Sequence, residues 1–148
     1  MTSAGYVRRE ATISAAINAV LSAGFFFAFF GLRDVTMWSA PGFVIDFIPQ
    51  GFMVGLMAAL VPGLLARRTA VLASLALDPR GITACGVALV ALSTGYLAAI
   101  GGTAAAVAIA TATGWQVVPF AAAITIKVLF GGCLGAAVTA LTLKRQLR

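Results

Sequence analysis

The stretch FVIDFIPQGFMVGLMAALVPGLL, residues 43–65, decides the fold class of this chain. It is almost continuously apolar, and it is longer than the roughly 20 residues that a helix needs to cross a hydrocarbon core about 30 Å thick. Its apolar residues do not alternate with polar ones, so it predicts a membrane helix and not a strand. Three residues near its start are unusual in such a segment: Asp46, Pro49 and Gln50.

The rest of the chain has the same apolar character. Of its 148 residues, 61% are hydrophobic and 9% are charged, and the mean hydropathy is +1.06. A soluble domain has about 25% charged residues, so this chain belongs in a lipid bilayer. Four apolar runs predict an all-α polytopic membrane protein whose spans form two tandem helical hairpins within a single domain, 1–148; the runs are 13–32, 43–65, 82–102 and 117–143.

The basic residues predict how the chain is threaded. Eight of the ten would lie on one side of the membrane: Arg8, Arg9, Arg67, Arg68, Arg80, Lys144, Arg145 and Arg148. Basic residues concentrate on the cytoplasmic side of membrane proteins, so we expect both termini to be cytoplasmic. The first apolar run lacks a small-residue cleavage motif, and we therefore interpret it as a span and not as a signal peptide.

The two halves of the chain, about 8–68 and 80–145, resemble each other. A shift of 77 residues places Trp38 on Trp115 and Gly55 on Gly132, and it places the pair Arg67-Arg68 on Lys144-Arg145. The first and third spans align with a shift of 71, which leaves extra residues between 103 and 116. We expect those residues either to extend the third helix or to form a short outer segment.

Lys127 is the most unusual residue, because an ammonium near the bilayer centre costs about 2.5–3.5 kcal/mol. At about 1.5 Å per helical residue, Lys127 and Gln50 both lie roughly 25 Å from the basic residues that end their spans. Asp46 is one turn further out and on the same helix face as Gln50. One hypothesis is an Asp46–Lys127 pair with Gln50 beside it. The alternative is that Lys127 extends to the surface and Asp46 is interfacial. Asn18, in the middle of the first span, completes the predicted intramembrane polar cluster as an interhelical hydrogen-bond donor.

Small residues recur every four positions on two of the predicted helices, and they indicate close helix packing. They are Gly51, Gly55, Ala59 and Gly63 on the second span, and Gly131 and Gly135 on the fourth. On the second span they lie broadly opposite Asp46 and Gln50. This span would therefore have two protein-facing sides, as a central or oligomer-forming helix does. The alternative is that Gly and Ala are simply abundant in this chain.

Several classes of function are disfavoured by the residues the chain lacks. It contains no histidine and only four acidic residues, so we expect no catalytic site, no metal site and no cofactor. The basic residues flank apolar runs instead of forming a patch, so nucleic acid is not an expected partner. Cys85 and Cys133 fall at different predicted depths, and we expect them to be free, packed thiols.

The segment WSAPGFVIDFIPQGFMVGLMAALVPGLLARR, residues 38–68, and its counterpart 115–145 resemble a family of small bacterial inner-membrane proteins. That family is built from a repeated two-helix domain of unknown function. The resemblance implies architecture and a location in the bacterial inner membrane, and it assigns no activity. We therefore expect a non-enzymatic membrane protein that acts through helix association, as a homo-oligomer or as a companion to another membrane protein. The alternative is a small transporter or channel with a polar path at Asp46, Gln50 and Lys127.

Overall fold

A computed structural model describes residues 3–72 and 83–146 of the chain. Four long helices make up most of this part of the chain: α1 (Ser3–Phe30), α2 (Phe47–Leu72), α3 (Ala84–Thr113) and α4 (Phe120–Gln146). Each is long and apolar enough to cross a membrane. Two short strands, β1 (Val35–Thr36) and β2 (Val117–Val118), lie in the connections. The predicted all-α, four-span fold is therefore confirmed.

The helix boundaries differ from the predicted spans at informative places. α2 begins at Phe47, after a turn in which Asp46 N donates to Gly42 O at 3.1 Å, so Asp46 precedes the helix. Pro49 lies in the first turn, where its missing N–H costs little. α3 continues to Thr113, so residues 103–113 extend this helix, the first of the two predicted outcomes. It stops at Gly114, whose φ of 65° favours glycine.

The helices pack most closely with partners from the other half of the chain. α1 lies along α4, α2 lies along α3, and α2 also contacts α4, whereas α1–α2 and α3–α4 contacts are few. The two halves therefore interlock, and α2 has protein on two sides, as its sequence predicts. The contacts come in matching pairs, which is the arrangement that two repeated halves would give. The repeat itself stays a prediction.

One end of the bundle, which we call the ribbon end, is closed by the two connections that hold the strands. β1 and β2 pair antiparallel, with Val35 opposite Val118. Asp34 reaches across from the first connection, and its Oδ1 accepts a hydrogen bond of 2.9 Å from the N–H of Phe120. This contact satisfies a backbone donor at the start of α4, where a negative charge is also favourable. The connections are thus tied to each other and to α4.

The core changes in character along the bundle. Next to the ribbon end it is aromatic and includes the buried Phe26, Phe30, Phe43 and Phe47. Further along, a cluster of small residues is formed by Ala58, Ala59, Ala91 and Val138. The end where α1 begins and α4 finishes, which we call the terminal end, has a third cluster of Val7, Ala66 and Leu143. Among the described residues, the fully buried phenylalanine rings therefore lie near the ribbon end.

Candidate functional site: an intramembrane polar cluster

Lys127 and Asp46, which sequence reasoning placed at similar depth, meet inside the bundle. Lys127 lies on α4 and is 1% exposed, and its Nζ is 2.9 Å from Asp46 Oδ2. The Asp46 side chain is 21% exposed, so the ammonium is the more deeply buried of the two charges. Asp46 directly precedes α2, where the helix dipole favours a carboxylate. The lysine therefore neutralises its charge inside the protein and does not extend to the surface.

Two phenylalanine rings share the ammonium with the carboxylate. Lys127 Nζ lies 3.6 Å from the ring centroid of Phe47 and 5.0 Å from that of Phe43. A cation over an aromatic face gains about 0.5–1 kcal/mol at exposed sites and about 2 kcal/mol or more when desolvated. Sequence reasoning missed these rings. Phe43 and Phe47 are four residues apart and stand on either side of Asp46 in the sequence, and this spacing could have indicated that both rings lie near the charged pair.

Gln50 connects the charged pair to α1. Its Nε2 donates to Ser22 Oγ at 2.9 Å and to the backbone oxygen of Lys127 at 3.1 Å. One side chain on α2 thus binds both α1 and α4. Gln50 Oε1 is buried and has no hydrogen-bond partner among the described residues, and Lys127 Nζ has no acceptor there other than Asp46.

The prediction that Asn18 donates between helices is wrong. Its Nδ2 donates within α1, to Ser14 O at 2.8 Å and to Ser14 Oγ at 3.2 Å. A short amide on a helix reaches the backbone one turn earlier more easily than a neighbouring helix, and this explains the error. None of its hydrogen bonds in the described structure reaches Asp46, Gln50 or Lys127, so Asn18 does not join them as the predicted cluster required.

Asn18 belongs instead to a second group, the hydroxyl cluster, formed by Ser14, Asn18 and Thr139. Ser14 Oγ donates to Gly135 O at 3.1 Å, across the α1–α4 interface. The Thr139 hydroxyl lies 2.8 Å from Ser14 Oγ and 2.9 Å from Ala58 O, and it donates to one of them at a time. Like Gln50, Thr139 thus joins three helices.

Sequence reasoning overlooked the hydroxyl residues Ser14, Ser22 and Thr139 as site residues. A signal was present on α1, because Ser14, Asn18 and Ser22 recur every four positions and so lie on one helix face. All three are buried. Mid-span hydroxyls are common in membrane helices, however, and their spacing does not say which helix they face.

The small residues predicted to mediate close packing lie at helix contacts. A Cβ added to Gly51 would be 2.7 Å from Ala98 O, and one added to Gly55 would be 2.9 Å from Thr94 O, both on α3. A Cβ on Gly135 would be 2.5 Å from Asn18 Nδ2, and one on Gly131 would collide with Ser22 Oγ. Ala59 and Gly63 are buried as well. These glycines serve contacts within the chain.

An apolar cavity of about 90 Å³ lies beside the aromatic core. It is lined in part by Phe43 and Phe47, the two rings that also contact Lys127 Nζ. Its other lining residues are also apolar: Met37, Ala105, Ala106, Ile109, Trp115, Ile126 and Phe130. The polar side chains of the cluster are not among them. The cavity would therefore suit an apolar group and offers no polar side chain to an ion.

Neither cysteine is packed as predicted, although both are free. Cys85 and Cys133 are exposed on their helices, so the prediction that they are packed is wrong. Within residues 3–72 and 83–146, no group of three or more His, Cys, Asp or Glu side chains is arranged to hold a metal ion.

The sequence and the fold were compared with protein-family models, curated proteins and solved structures, and none of them matches. The resemblance to a tandem two-helix family therefore stays an expectation.

Proposed function

We propose that this multi-pass membrane protein is a non-enzymatic component of the bacterial inner membrane that acts through helix association, as a homo-oligomer or as a companion subunit. The observation that supports this most strongly is that the buried polar side chains bind other parts of the same chain. Asp46–Lys127, Gln50 and Thr139 all bind between helices of the same chain. They fix α1, α2 and α4 relative to one another. The bundle then presents a mostly apolar outer surface to lipid or to another membrane protein.

Its orientation is part of the proposal. The basic residues Arg8, Arg9, Arg67, Arg68, Lys144 and Arg145 all lie towards the terminal end, and five of them are exposed while Arg67 is half-buried. The bias of basic residues to the cytoplasmic side supports cytoplasmic termini. Trp38 and Trp115, at the ribbon end, are 44% and 39% exposed, as expected of indole rings at the opposite interface.

The proposal is tested by the mass of the protein particle extracted from its native membrane in polymer nanodiscs. We expect a particle that contains more than one 15.1 kDa chain, or one chain with a stoichiometric membrane protein. The Asp46→Asn/Lys127→Met variant, which replaces the charged pair by neutral side chains of similar size, should keep this stoichiometry once folded. A particle that contains a single chain and no protein partner would contradict the proposal.

A second candidate function, transport of a small ion, is favoured by an unsatisfied polar atom and a partly exposed carboxylate. Gln50 Oε1 is buried without a hydrogen-bond partner among the described residues, and the Asp46 side chain is 21% exposed. A cation that reached Asp46 and Gln50 would find a carboxylate and an amide acceptor there. Flux of protons and monovalent cations into liposomes tests this function. Transport predicts flux that Lys127→Met abolishes without unfolding the protein, and no flux in the wild type would reject it for those ions.

A further inference from the structure

The terminal end of the bundle brings three helices to one point. Val7 on α1, Ala66 on α2 and Leu143 on α4 are all buried and pack in one cluster, with Tyr6 and Ala140 beside them. These three residues come from distant parts of the sequence. Their contact therefore fixes the ends of α1, α2 and α4 side by side at the same level of the bundle.

Val7, Ala66 and Leu143 are each followed directly in the sequence by two basic residues. We define the basic surface as these six residues: Arg8, Arg9, Arg67, Arg68, Lys144 and Arg145. The only acidic residue within the described parts of these three helix ends is Glu10, whose Oε1 lies 3.5 Å from Arg9 Nη2. α3 contains no basic residue between Ala84 and Thr113, so the described basic residues at this end lie on α1, α2 and α4. Among the residues that the structure describes, Glu10 alone adds a negative charge beside the basic surface, which therefore keeps a net positive charge.

We propose that the basic surface binds the phosphate headgroup of an anionic phospholipid across α1, α2 and α4. Guanidinium groups hold phosphate oxygens through two parallel hydrogen bonds, and five of the six residues are arginines. Basic clusters immediately beside membrane helices attract anionic lipids, and pockets between such helices bind their headgroups. The basic surface places arginines at three adjacent helix ends, where one headgroup could contact all three helices.

The residues next to the basic surface suit the acyl chains of the same lipid. Leu65 precedes Arg67 by two positions and is 48% exposed, and Leu141 precedes Lys144 by three and is 58% exposed. On α1, Ile13 lies just over one turn beyond Arg9 and is 43% exposed. Charged and apolar groups therefore follow each other in the order in which a phospholipid presents its headgroup and tails. This order favours a lipid over a soluble anion such as free phosphate or nucleic acid.

The proposal goes beyond the proposed function, since it holds whether the chain assembles with a partner or transports an ion. It is tested with the purified full-length protein in a neutral detergent, to which phosphatidylglycerol or phosphatidylcholine is added. Native mass spectrometry measures how much lipid stays bound. We expect phosphatidylglycerol to bind at least ten times more tightly than phosphatidylcholine. Equal binding of the two lipids would overturn the proposal.

Two variants distinguish this site from general attraction to a basic protein. Arg8→Gln/Arg67→Gln/Lys144→Gln removes one charge from each helix end, and at about fivefold per charge the three changes together should weaken phosphatidylglycerol binding on the order of a hundredfold. Arg8→Lys/Arg67→Lys keeps the charge but loses the paired guanidinium hydrogen bonds, so it should weaken phosphatidylglycerol binding measurably but less than the triple glutamine variant does. The emission of Trp38 and Trp115, both at the opposite end, reports that each variant is folded.

Two results would count against a lipid site. If the triple glutamine variant is folded and still binds phosphatidylglycerol like the wild type, the basic surface is not the site. If glycerol phosphate without acyl chains binds as tightly as phosphatidylglycerol, the site recognises a soluble phosphate and not a lipid.

Discussion

The α1–α4 and α2–α3 interfaces occupy matching places in the bundle but are built from different chemistry. At the α2–α3 interface a Cβ added to Gly51 would meet Ala98 O at 2.7 Å, and one added to Gly55 would meet Ala98 Cβ at 2.8 Å and Thr94 O at 2.9 Å, so most of the opposing atoms belong to the α3 backbone. At the α1–α4 interface Gly131 and Gly135 face the polar side chains of Ser22 and Asn18. In both interfaces the absence of a side chain on glycine lets the facing helix approach closely. In the first interface that space is filled mostly by backbone, and in the second by hydrogen-bonding side chains.

The two interfaces therefore stabilise the bundle in different ways. Lipid tails are as apolar as leucine, so helices in a membrane gain little from the hydrophobic effect between them and associate by close packing and hydrogen bonds. The α2–α3 contact gains dispersion energy along the closely packed backbones. The α1–α4 contact gains directional bonds, which hold α1 and α4 in one register and link them to α2 through Gln50 and Thr139.

The largest expected effect comes from removing one member of the charged pair. Removing one partner of a buried ion pair typically costs about 3–5 kcal/mol, because the other charge is left without compensation. Lys127 is 1% exposed and Asp46 is 21% exposed, so Asp46→Ala should lower the free energy of unfolding in mixed micelles more than Lys127→Met. The reverse order would mean that the ammonium reaches water when its partner is absent.

A methyl group at the α2–α3 interface should have the next largest effect. Gly51→Ala places a Cβ 2.7 Å from Ala98 O, and a backbone atom cannot rotate away, so the free energy of unfolding should fall by about 1–3 kcal/mol. Gly101→Ala, on α3, is the matched control because no atom lies within 4 Å of the added Cβ. Equal stability of the two variants would show that the helices are not in close contact at Gly51.

The same change at the polar interface should cost less, about 1 kcal/mol, because its closest opponent is a side chain that can move. In Gly131→Ala the new Cβ displaces Ser22 Oγ, which then no longer accepts from Gln50. Adding Ser22→Ala should remove the collision with Oγ and restore part of the thermal stability, while the contacts with Ser22 Cβ at 3.0 Å and Asn18 O at 3.1 Å remain. No side-chain substitution should restore Gly51→Ala in this way, and a rescue there would remove the contrast between the interfaces.

The smallest effect is expected from a single hydroxyl. Thr139→Val keeps the shape of the side chain and removes the hydrogen bond that Ser14 Oγ and Ala58 O share. Interhelical hydrogen bonds in membrane proteins average about 0.6 kcal/mol and reach about 1.7 kcal/mol. The melting temperature in detergent should fall slightly, with Thr125→Val as the control, since Thr125 is bonded only within α4 among the described contacts. A loss well above that range would mean that the hydroxyl cluster and not the charged pair dominates the polar interface.

Sequence reasoning was strongest where a residue type is expensive in a bilayer. One lysine and one acid at similar depth have few alternatives to pairing, and the four spans follow from length and hydropathy alone. The sequence did not predict which helix each side chain contacts, because helix periodicity assigns a residue to a face of its own helix but not to a partner helix. The rings of Phe43 and Phe47 and the hydroxyls of Ser14, Ser22 and Thr139 were missed for this reason. Asn18 was misjudged because an intrahelical carbonyl competes with a neighbouring helix.

A double-mutant cycle of Asp46→Ala and Lys127→Met measures whether an ion pair joins the turn before α2 to α4. Each single variant, the double variant and the wild type are unfolded in the same mixed micelles, and the coupling free energy is calculated from the four values. The structure predicts a favourable coupling of at least about 1 kcal/mol, so that the double variant is less destabilised than the sum of the two single variants. Additive losses, with a coupling near zero, would contradict the pair.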